Sequence, residues 1–155
     1  MKTLVLVRHG HARQESEDLT RPLSSLGRDS LVACAKALAG YLPDRVLCSP
    51  STRTRETAKV LFEELGWQPA TETPEGLYLA EVPELRLLVN NTPDATETLW
   101  LIGHNPGLSE FATTLLRRPI ALDTSQFVAF SSDAESWSQF TDEACSLVAA
   151  SWEHT

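Results

Sequence analysis

The sequence predicts an α/β protein, a three-layer α/β/α sandwich built around a mostly parallel sheet. Two observations lead to this prediction. Short apolar runs typical of buried strands alternate along the chain with segments whose apolar residues recur at helical spacing. The runs are too short to form helices of their own, and the first, Thr3–Val7, is also rich in β-branched residues. Because the 155 residues contain no linker, internal repeat or low-complexity tract, we expect one domain over residues 1–155.

The N-terminal part of the chain contains two predicted strand–helix units. The first apolar run, Thr3–Val7, is followed by a loop and then by a helix that Pro43 stops. The second run, Arg45–Cys48, follows almost at once. A second helix then continues to Gly66, a residue suited to helix C-termini.

The C-terminal part adds two helices and three strands. Segment 67–79 is irregular, with room for one short strand, and Pro83 suits the first turn of a third helix. A further buried strand is predicted at Leu99–Ile102, and a fourth helix over about residues 108–116. The last two strands are predicted at Phe127–Phe130 and Leu147–Ala150.

Composition and charge restrict the classes of partner. The formal net charge is −8 and the isoelectric point is about 4.9. Nucleic acids and anionic membranes are bound through basic surfaces, so we exclude both as the main partner. The three cysteines are widely spaced and odd in number, and neither a signal peptide nor a bilayer-spanning segment is evident. We therefore expect a reduced protein of the cytoplasm.

Polar side chains follow three of the predicted strands. They lie at Arg8–Gly10, at Ser49–Arg53 and at Gly103–Asn105. Because the carboxyl ends of parallel strands share one edge of a sheet, we expect these side chains to face a single crevice. Guanidinium groups can hold phosphoryl oxygens, one neutral imidazole can attack phosphorus, and a second can donate a hydrogen bond. The strand ends therefore predict a site for phosphoryl transfer.

Four segments resemble the motifs of one family, the histidine phosphatase superfamily, which has the phosphoglycerate-mutase-like fold. RHG after the first strand matches its defining motif, SPSTRTRETA its arginine block and GHNPGL its second-histidine block. RPLSSLG, from Arg21 to Gly27, resembles a block of the short SixA-type phosphohistidine phosphatases. The matches extend from Thr3 to about Ala112, and the short chain also fits that subgroup.

The resemblance implies a role for each matched residue. His9 is the nucleophile that becomes phosphohistidine, water then releases the phosphate, and no metal or organic cofactor takes part. The arginine block aligns Arg53, not Arg55, with the arginine that binds phosphate. The implied catalytic residues are Arg8, His9, Arg53 and His104, and the implied substrate-binding residues are Arg8, Gly10, Arg21, Arg53, His104 and Asn105.

An acid that protonates the leaving group is harder to assign. Acid phosphatases of the family carry an aspartate directly after the second histidine, where this chain has Asn105. Glu81, between the arginine block and the second histidine, is the positional candidate for a catalytic acid. A weak or missing acid disfavours alkyl phosphates more than phosphohistidine, whose nitrogen leaving group departs readily. Glu56 replaces the family's usual glutamine, and we expect only a structural effect.

Three functions stay open at this point. The first is removal of phosphate from phosphohistidine in a protein of a signalling pathway, and the second is hydrolysis of a small phosphate ester. The third is a non-catalytic phosphate-binding signalling module, against which the retained nucleophile His9 counts. The sequence does not indicate the physiological substrate or the oligomeric state.

Two other features, the neighbouring histidines and the aromatic residues of the tail, also need an interpretation. His9 and His11 could form a metal pair, but the barrels that use such a pair need about 250 residues and further ligands. The chain offers only His154 beyond the histidines already named, so we expect His11 at the pocket rim. The tail aromatics are expected to pack in the core, whereas an exposed cluster would indicate a partner site. They are Trp137, Phe140 and Trp152.

Overall fold

The computed structural model describes residues 1–152 and contains a six-stranded sheet with helices on both faces. His154, the remaining histidine of the metal alternative, lies outside the described residues. The strands are β1 (Lys2–Arg8), β2 (Arg45–Cys48), β3 (Ala70–Glu72), β4 (Thr98–Gly103), β5 (Phe127–Ser132) and β6 (Cys145–Ala150). The α-helices are α1 (Ser25–Leu38), α2 (Thr52–Leu65), α3 (Val82–Asn90) and α4 (Gly107–Leu116).

The sheet has the strand order β3-β2-β4-β1-β5-β6. The first four strands of this order are parallel to one another, whereas β5 runs antiparallel to β1 and β6 antiparallel to β5. The predicted mostly parallel sheet is therefore confirmed. Because β1, β2 and β4 are neighbours that run in one direction, their carboxyl ends meet at the same edge.

Alternation of apolar side chains along β1 creates the two layers of the core. Leu4 and Leu6 point to the face covered by α3 and α4, and Val5 and Val7 point to the face covered by α1 and α2. All four are fully buried. Burying one aliphatic side chain of this size contributes about 1.5–3 kcal/mol, so β1 anchors both helical layers. The three-layer α/β/α sandwich is confirmed.

The helix ends lie where glycine and proline predict them, except that α1 ends several residues before Pro43. Gly66 caps α2 in the left-handed conformation, with φ of 61°, and Pro83 lies in the first turn of α3. Helix α1 ends at Leu38, and the 3₁₀ turn Ala39–Tyr41 continues the chain toward Pro43. The helix therefore stops before the proline, because the last turn tightens into 3₁₀ geometry.

The tail aromatics pack in the core. Trp137 and Phe140 are buried and stack with ring centroids 5.3 Å apart, and Trp152 packs against the same cluster. The prediction of core packing is confirmed, and these residues form no exposed aromatic patch. Among residues 1–152, no helix has both the length and the apolar character that crossing a membrane requires.

Candidate active site

The carboxyl ends of β1, β2 and β4 open into one cleft of about 380 Å³. Main-chain hydrogen bonds hold the ends together: the His9 amide donates to the Gly103 carbonyl (3.1 Å), and the Ser49 amide to the Ile102 carbonyl (3.0 Å). The predicted single crevice is therefore present. Of the predicted site residues, those that line the cleft are Arg8, His9, Arg21, Arg53, His104 and Asn105.

His9 lies at the floor of the cleft as a neutral imidazole. Its Nδ1 is 2.7 Å from the Gly10 carbonyl oxygen, which can only accept, so Nδ1 carries the proton and Nε2 keeps its lone pair. Burial, together with the nearby charges of Arg53, Arg8 and Arg21, lowers the pKa of His9 to about 4, although the hydrogen bond to Gly10 opposes this shift. An unprotonated Nε2 at neutral pH is the state that attack on phosphorus requires.

Gly10 lets α1 pack directly against the loop that carries His9. A Cβ at this position would lie 2.9 Å from Leu31 Cδ1 and 3.2 Å from the Gly27 main-chain oxygen, both in α1, so a larger residue would require the leucine and the helix backbone to shift. The Gly10 amide donates to Thr57 Oγ1 (3.0 Å). Gly10 therefore contributes close packing and a fixed main chain beside His9.

His104 lies beside His9, with ring centroids 5.3 Å apart. Its Nδ1 is 3.2 Å from Arg53 Nη2, and because a guanidinium only donates, Nδ1 accepts this hydrogen bond. Its Nε2 then carries the proton and donates to Ser49 Oγ (2.7 Å). Burial, followed by the charge of Arg53, lowers the pKa of His104 to about 3. Both imidazoles are therefore neutral at pH 7.

Arg53 connects the groups of the cleft floor. It lies in the first turn of α2, is 3% exposed, and approaches His9 Nε2 through Nε (3.4 Å) and His104 through Nη2. Its Nη1 donates to the main-chain oxygen of Asp18 (2.7 Å). Arg55, two residues later in α2, is exposed and donates to the main-chain carbonyl of Pro50, outside the cleft. The structure thus places Arg53, and not Arg55, beside the two histidines.

Arg8 offers a hydrogen-bond donor that no described group uses. Its Nη1 donates to the Leu122 carbonyl (3.0 Å), while its buried Nε has no partner within residues 1–152. Burial lowers the pKa of its guanidinium from the usual value. Asn105 Nδ2 donates to the same carbonyl (2.8 Å), so Asn105 ties two loops together at the cleft wall. An unused buried donor on a cation suits an anionic ligand.

Asp18 is a cleft residue that sequence reasoning missed. Its Oδ1 is 3.1 Å from Arg21 Nη1, and its Oδ2 is 3.1 Å from Arg53 Nη2 and also accepts from the Tyr78 hydroxyl. The hydrogen bond from Tyr78, supported by those from the two arginines, lowers the pKa of Asp18 to about 2. The Tyr78 ring meets His104 edge-on, with centroids 5.5 Å apart. Asp18 is therefore an ionised carboxylate that orients two cations.

The rim of the cleft holds the remaining predicted cation. Arg21 bonds to Asp18 and, through Nε, to the main-chain oxygen of Arg13 (3.0 Å). His11 lines the cleft as predicted for a rim residue, and its Nδ1 lies 2.7 Å from Ser24 Oγ. Both side chains are therefore supported by neighbouring loops at the mouth of the site.

Glu81 and Glu56 lie outside the cleft lining. Glu81 is exposed at the N-cap position of α3, and its side chain makes no capping hydrogen bond there. Glu56 accepts from the Leu23 amide (2.8 Å) and pairs with Arg28 (2.8 Å), which is the structural role predicted for it. Among residues 1–152, no three His, Cys, Asp or Glu side chains are grouped so that they could hold a metal ion.

Comparisons with known proteins indicate one family. The family model of the histidine phosphatase superfamily (branch 1) matches residues 4–77. An uncharacterised chloroplastic protein of Arabidopsis thaliana is 30% identical over 153 residues, which cover 89% of this chain and 70% of the relative.

Two solved structures share the fold over nearly the whole chain. One is described as a phosphohistidine phosphatase SixA from Nakamurella multipartitia, with a TM-score of 0.83, 25% identity, and coverage of 99% of this chain and 95% of that chain. The other is the protein histidine phosphatase SixA complexed with tungstate, with a TM-score of 0.78, 22% identity, and coverage of 96% and 95%.

Proposed function

The chain belongs to the histidine phosphatase superfamily and is a phosphatase, and from this premise we propose that it removes phosphate from phosphohistidine carried by a protein, without a metal. One observation carries the proposal. The neutral His9 keeps an unprotonated Nε2 at the cleft floor, where it accepts a long hydrogen bond from Arg53 Nε (3.4 Å), while its Nδ1 is fixed on the Gly10 carbonyl. This arrangement fits a nucleophile aimed at a phosphoryl group between cations.

In the first step, the His9 Nε2 lone pair forms a bond to phosphorus while the bond from phosphorus to the leaving nitrogen breaks. The leaving ring carries a proton on its other nitrogen, so it takes the electron pair of that bond and departs as neutral imidazole. Arg8, Arg53 and Arg21 hold the phosphoryl oxygens, and His104 positions Arg53 by accepting a hydrogen bond from its Nη2. The Gly10 carbonyl accepts from Nδ1 throughout and so stabilises the positive charge that develops on the His9 ring.

In the second step, water attacks the phosphohistidine and the bond between phosphorus and Nε2 breaks. The electron pair returns to Nε2, and inorganic phosphate leaves the cleft. Arg8 supports this cycle, because its guanidinium lines the cleft beside His9 and its charge favours a bound anion. Every step uses side chains and water, so we propose that no metal or organic cofactor takes part.

The acid–base groups favour phosphohistidine over an alkyl ester. Asp18, a carboxylate in the cleft lining, has a pKa of about 2 and holds no proton for a leaving group at neutral pH. Glu81, our proposed acid for substrates that need one, lies outside the lining. An alkoxide leaves poorly without a proton, whereas the imidazole of phosphohistidine departs readily. The likeness to a structure described as a phosphohistidine phosphatase supports the same substrate class.

We also propose that residues 1–155 act as one histidine phosphatase domain, since the SixA structure from Nakamurella multipartitia matches 99% of the chain. The partner is then a phosphorylated protein of a signalling pathway. We keep the cytoplasm as the proposed location, because Cys34, Cys48 and Cys145 are unpaired thiols in the described part of the chain.

A two-substrate assay tests the proposal. The wild-type protein and His9→Ala are incubated with a phosphohistidine peptide and with p-nitrophenyl phosphate, in the presence of a chelator. We expect turnover of the peptide, little turnover of the ester, and loss of both in His9→Ala. His11→Ala is the matched control, since this histidine lies at the rim, and it should retain activity.

The other outcomes discriminate among the alternatives. Turnover of the ester alone would assign the protein to small phosphate esters. Phosphate binding without turnover would make it a binding module. Activity that the chelator abolishes would refute metal independence, and full activity of His9→Ala would refute the nucleophile.

A further inference from the structure

Leu79 has an unusual backbone at the mouth of the cleft. Its φ is 52°, in the left-handed region that glycine and asparagine tolerate and that is rare for a bulky residue. Its side chain is 51% exposed and lines the cleft. Packing does not explain this leucine, because half of its apolar surface faces water. A strained backbone at a ligand cleft suggests that the conformation serves binding.

The neighbours of Leu79 hold it in this conformation. Tyr78 is fixed by its hydrogen bond to Asp18 and by its contact with the His104 ring. Ala80 is buried, and its carbonyl oxygen packs so closely on Gly107 that a Cβ there would lie 1.9 Å away. With both neighbours pinned toward the protein, the side chain of Leu79 is directed outward at the mouth of the cleft.

Two other exposed leucines adjoin cleft or rim residues along the chain. Leu19 is 41% exposed and directly follows Asp18, which lines the cleft. Leu26 is 63% exposed in the first turn of α1, whose N-cap residue Ser24 bonds to the rim residue His11. With Leu79, the chain thus has three exposed leucines in or next to the segments that form the site. A cationic floor with the exposed Leu79 at its mouth complements a phosphoryl group that projects from an apolar protein surface.

We propose that Leu79, together with Leu19 and Leu26, selects phosphohistidine whose neighbours on the partner protein are apolar. This inference rests on the proposed function and names the partner surface that the site accepts. The cations bind the phosphoryl group, and Leu79 is buried against an apolar side chain beside the phosphorylated histidine. Burial of its exposed half gives about a tenfold preference for such a surface.

Matched peptides test this specificity. Two peptides are phosphorylated on histidine with phosphoramidate, one with leucines beside the histidine and one with serines. For the wild type, kcat/KM should be about tenfold higher on the leucine peptide, with the difference in KM. Leu79→Asn and Leu79→Gly should lose this preference while keeping kcat on free phosphohistidine. Both variants relieve the backbone strain, so their melting temperatures should not fall.

Leu87→Asn is the matched control, because Leu87 is 62% exposed on α3 and lies outside the cleft lining. It should keep the preference. The inference is overturned if Leu79→Asn keeps the wild-type ratio, if Leu87→Asn loses it equally, or if the wild type treats both peptides alike. Failure of the wild type on all phosphohistidine substrates, with turnover of p-nitrophenyl phosphate, would instead refute the proposed function and the inference with it.

Discussion

The floor and the rim of the cleft are built in different ways. The floor, formed by His9, Arg53 and His104, is buried and follows the ends of three parallel strands. The rim, in which Asp18 and Tyr78 meet, comes from irregular segments around short 3₁₀ turns. The sheet therefore fixes the groups that we assign to chemistry, while loops supply the groups that set charge and access. This division is typical of enzymes whose scaffold is rigid and whose specificity is adjustable.

The two regions also differ in their charge. Burial keeps both floor histidines neutral, so the floor carries the charge of Arg53 without a carboxylate of its own. The rim supplies the carboxylate of Asp18, which two arginines and Tyr78 hold in its ionised form. A bound phosphoryl group would share these cations with Asp18. The floor thus attracts the anion, and the rim limits how tightly it is held.

The largest effect should follow removal of the floor cation. We expect Arg53→Ala to lower kcat/KM by about a thousandfold or more, because the variant loses a charge-assisted clamp on the transferring phosphoryl group. Arg55→Ala is the matched control, since Arg55 is exposed and bonds outside the cleft. Steady-state kinetics on a phosphohistidine peptide measure both. Equal activity of the two variants would remove Arg53 from the mechanism.

The floor was predictable from the sequence because its residues adjoin recognisable strands. Buried runs ending in Arg8–Gly10 and Gly103–Asn105 place polar side chains at one sheet edge, and the structure brings them together there. The family motifs then singled out Arg53 over Arg55. The motifs are informative because main-chain pairing fixes where each strand ends, and therefore which side chains reach the shared edge of the sheet.

The rim was not predictable in the same way. Asp18 and Tyr78 are 60 residues apart in segments with no periodicity, and only the folded chain joins them. The one local signal was an acid three residues before Arg21, which is common in ordinary turns. The left-handed backbone of Leu79 had no signal at all, since it results from packing of its neighbours and not from its own propensity.

Acid should destabilise the protein through the floor before it affects the rim. The folded-state pKa of His9 is about 4, below its ordinary value of 6.5, so below pH 6.5 the unfolded chain binds a proton that the folded protein does not. The free energy of unfolding should therefore fall as pH drops from 6.5 to 4, by ~3 kcal/mol for His9. Urea unfolding at several pH values measures this loss.

A variant separates the two regions in this experiment. His104→Gln removes a floor group whose folded-state pKa is about 3, so its stability should fall less steeply below pH 6.5 than that of the wild type. Asp18 has a folded-state pKa of about 2, below its ordinary 3.8, so its contribution is present above pH 3.8 and is lost as pH falls toward 2. Identical slopes for wild type and His104→Gln between pH 6.5 and 4 would contradict the assignment to the floor histidines.

The smallest effect should come from neutralising the rim. Asp18→Asn replaces a carboxylate with a neutral amide. That carboxylate pairs with Arg21 and Arg53, the same cations that would hold the substrate phosphoryl group. We expect the inhibition constant of inorganic phosphate to fall about tenfold, because removal of a nearby like charge favours a bound anion. We expect kcat to fall by a similar factor, because Arg53 loses a charged partner that orients it. Glu17→Gln is the control, because this neighbouring carboxylate makes no ion pair within residues 1–152. A purely structural role for Asp18 would lower the melting temperature without tightening phosphate inhibition, so the phosphate inhibition constant distinguishes an electrostatic rim from a scaffold.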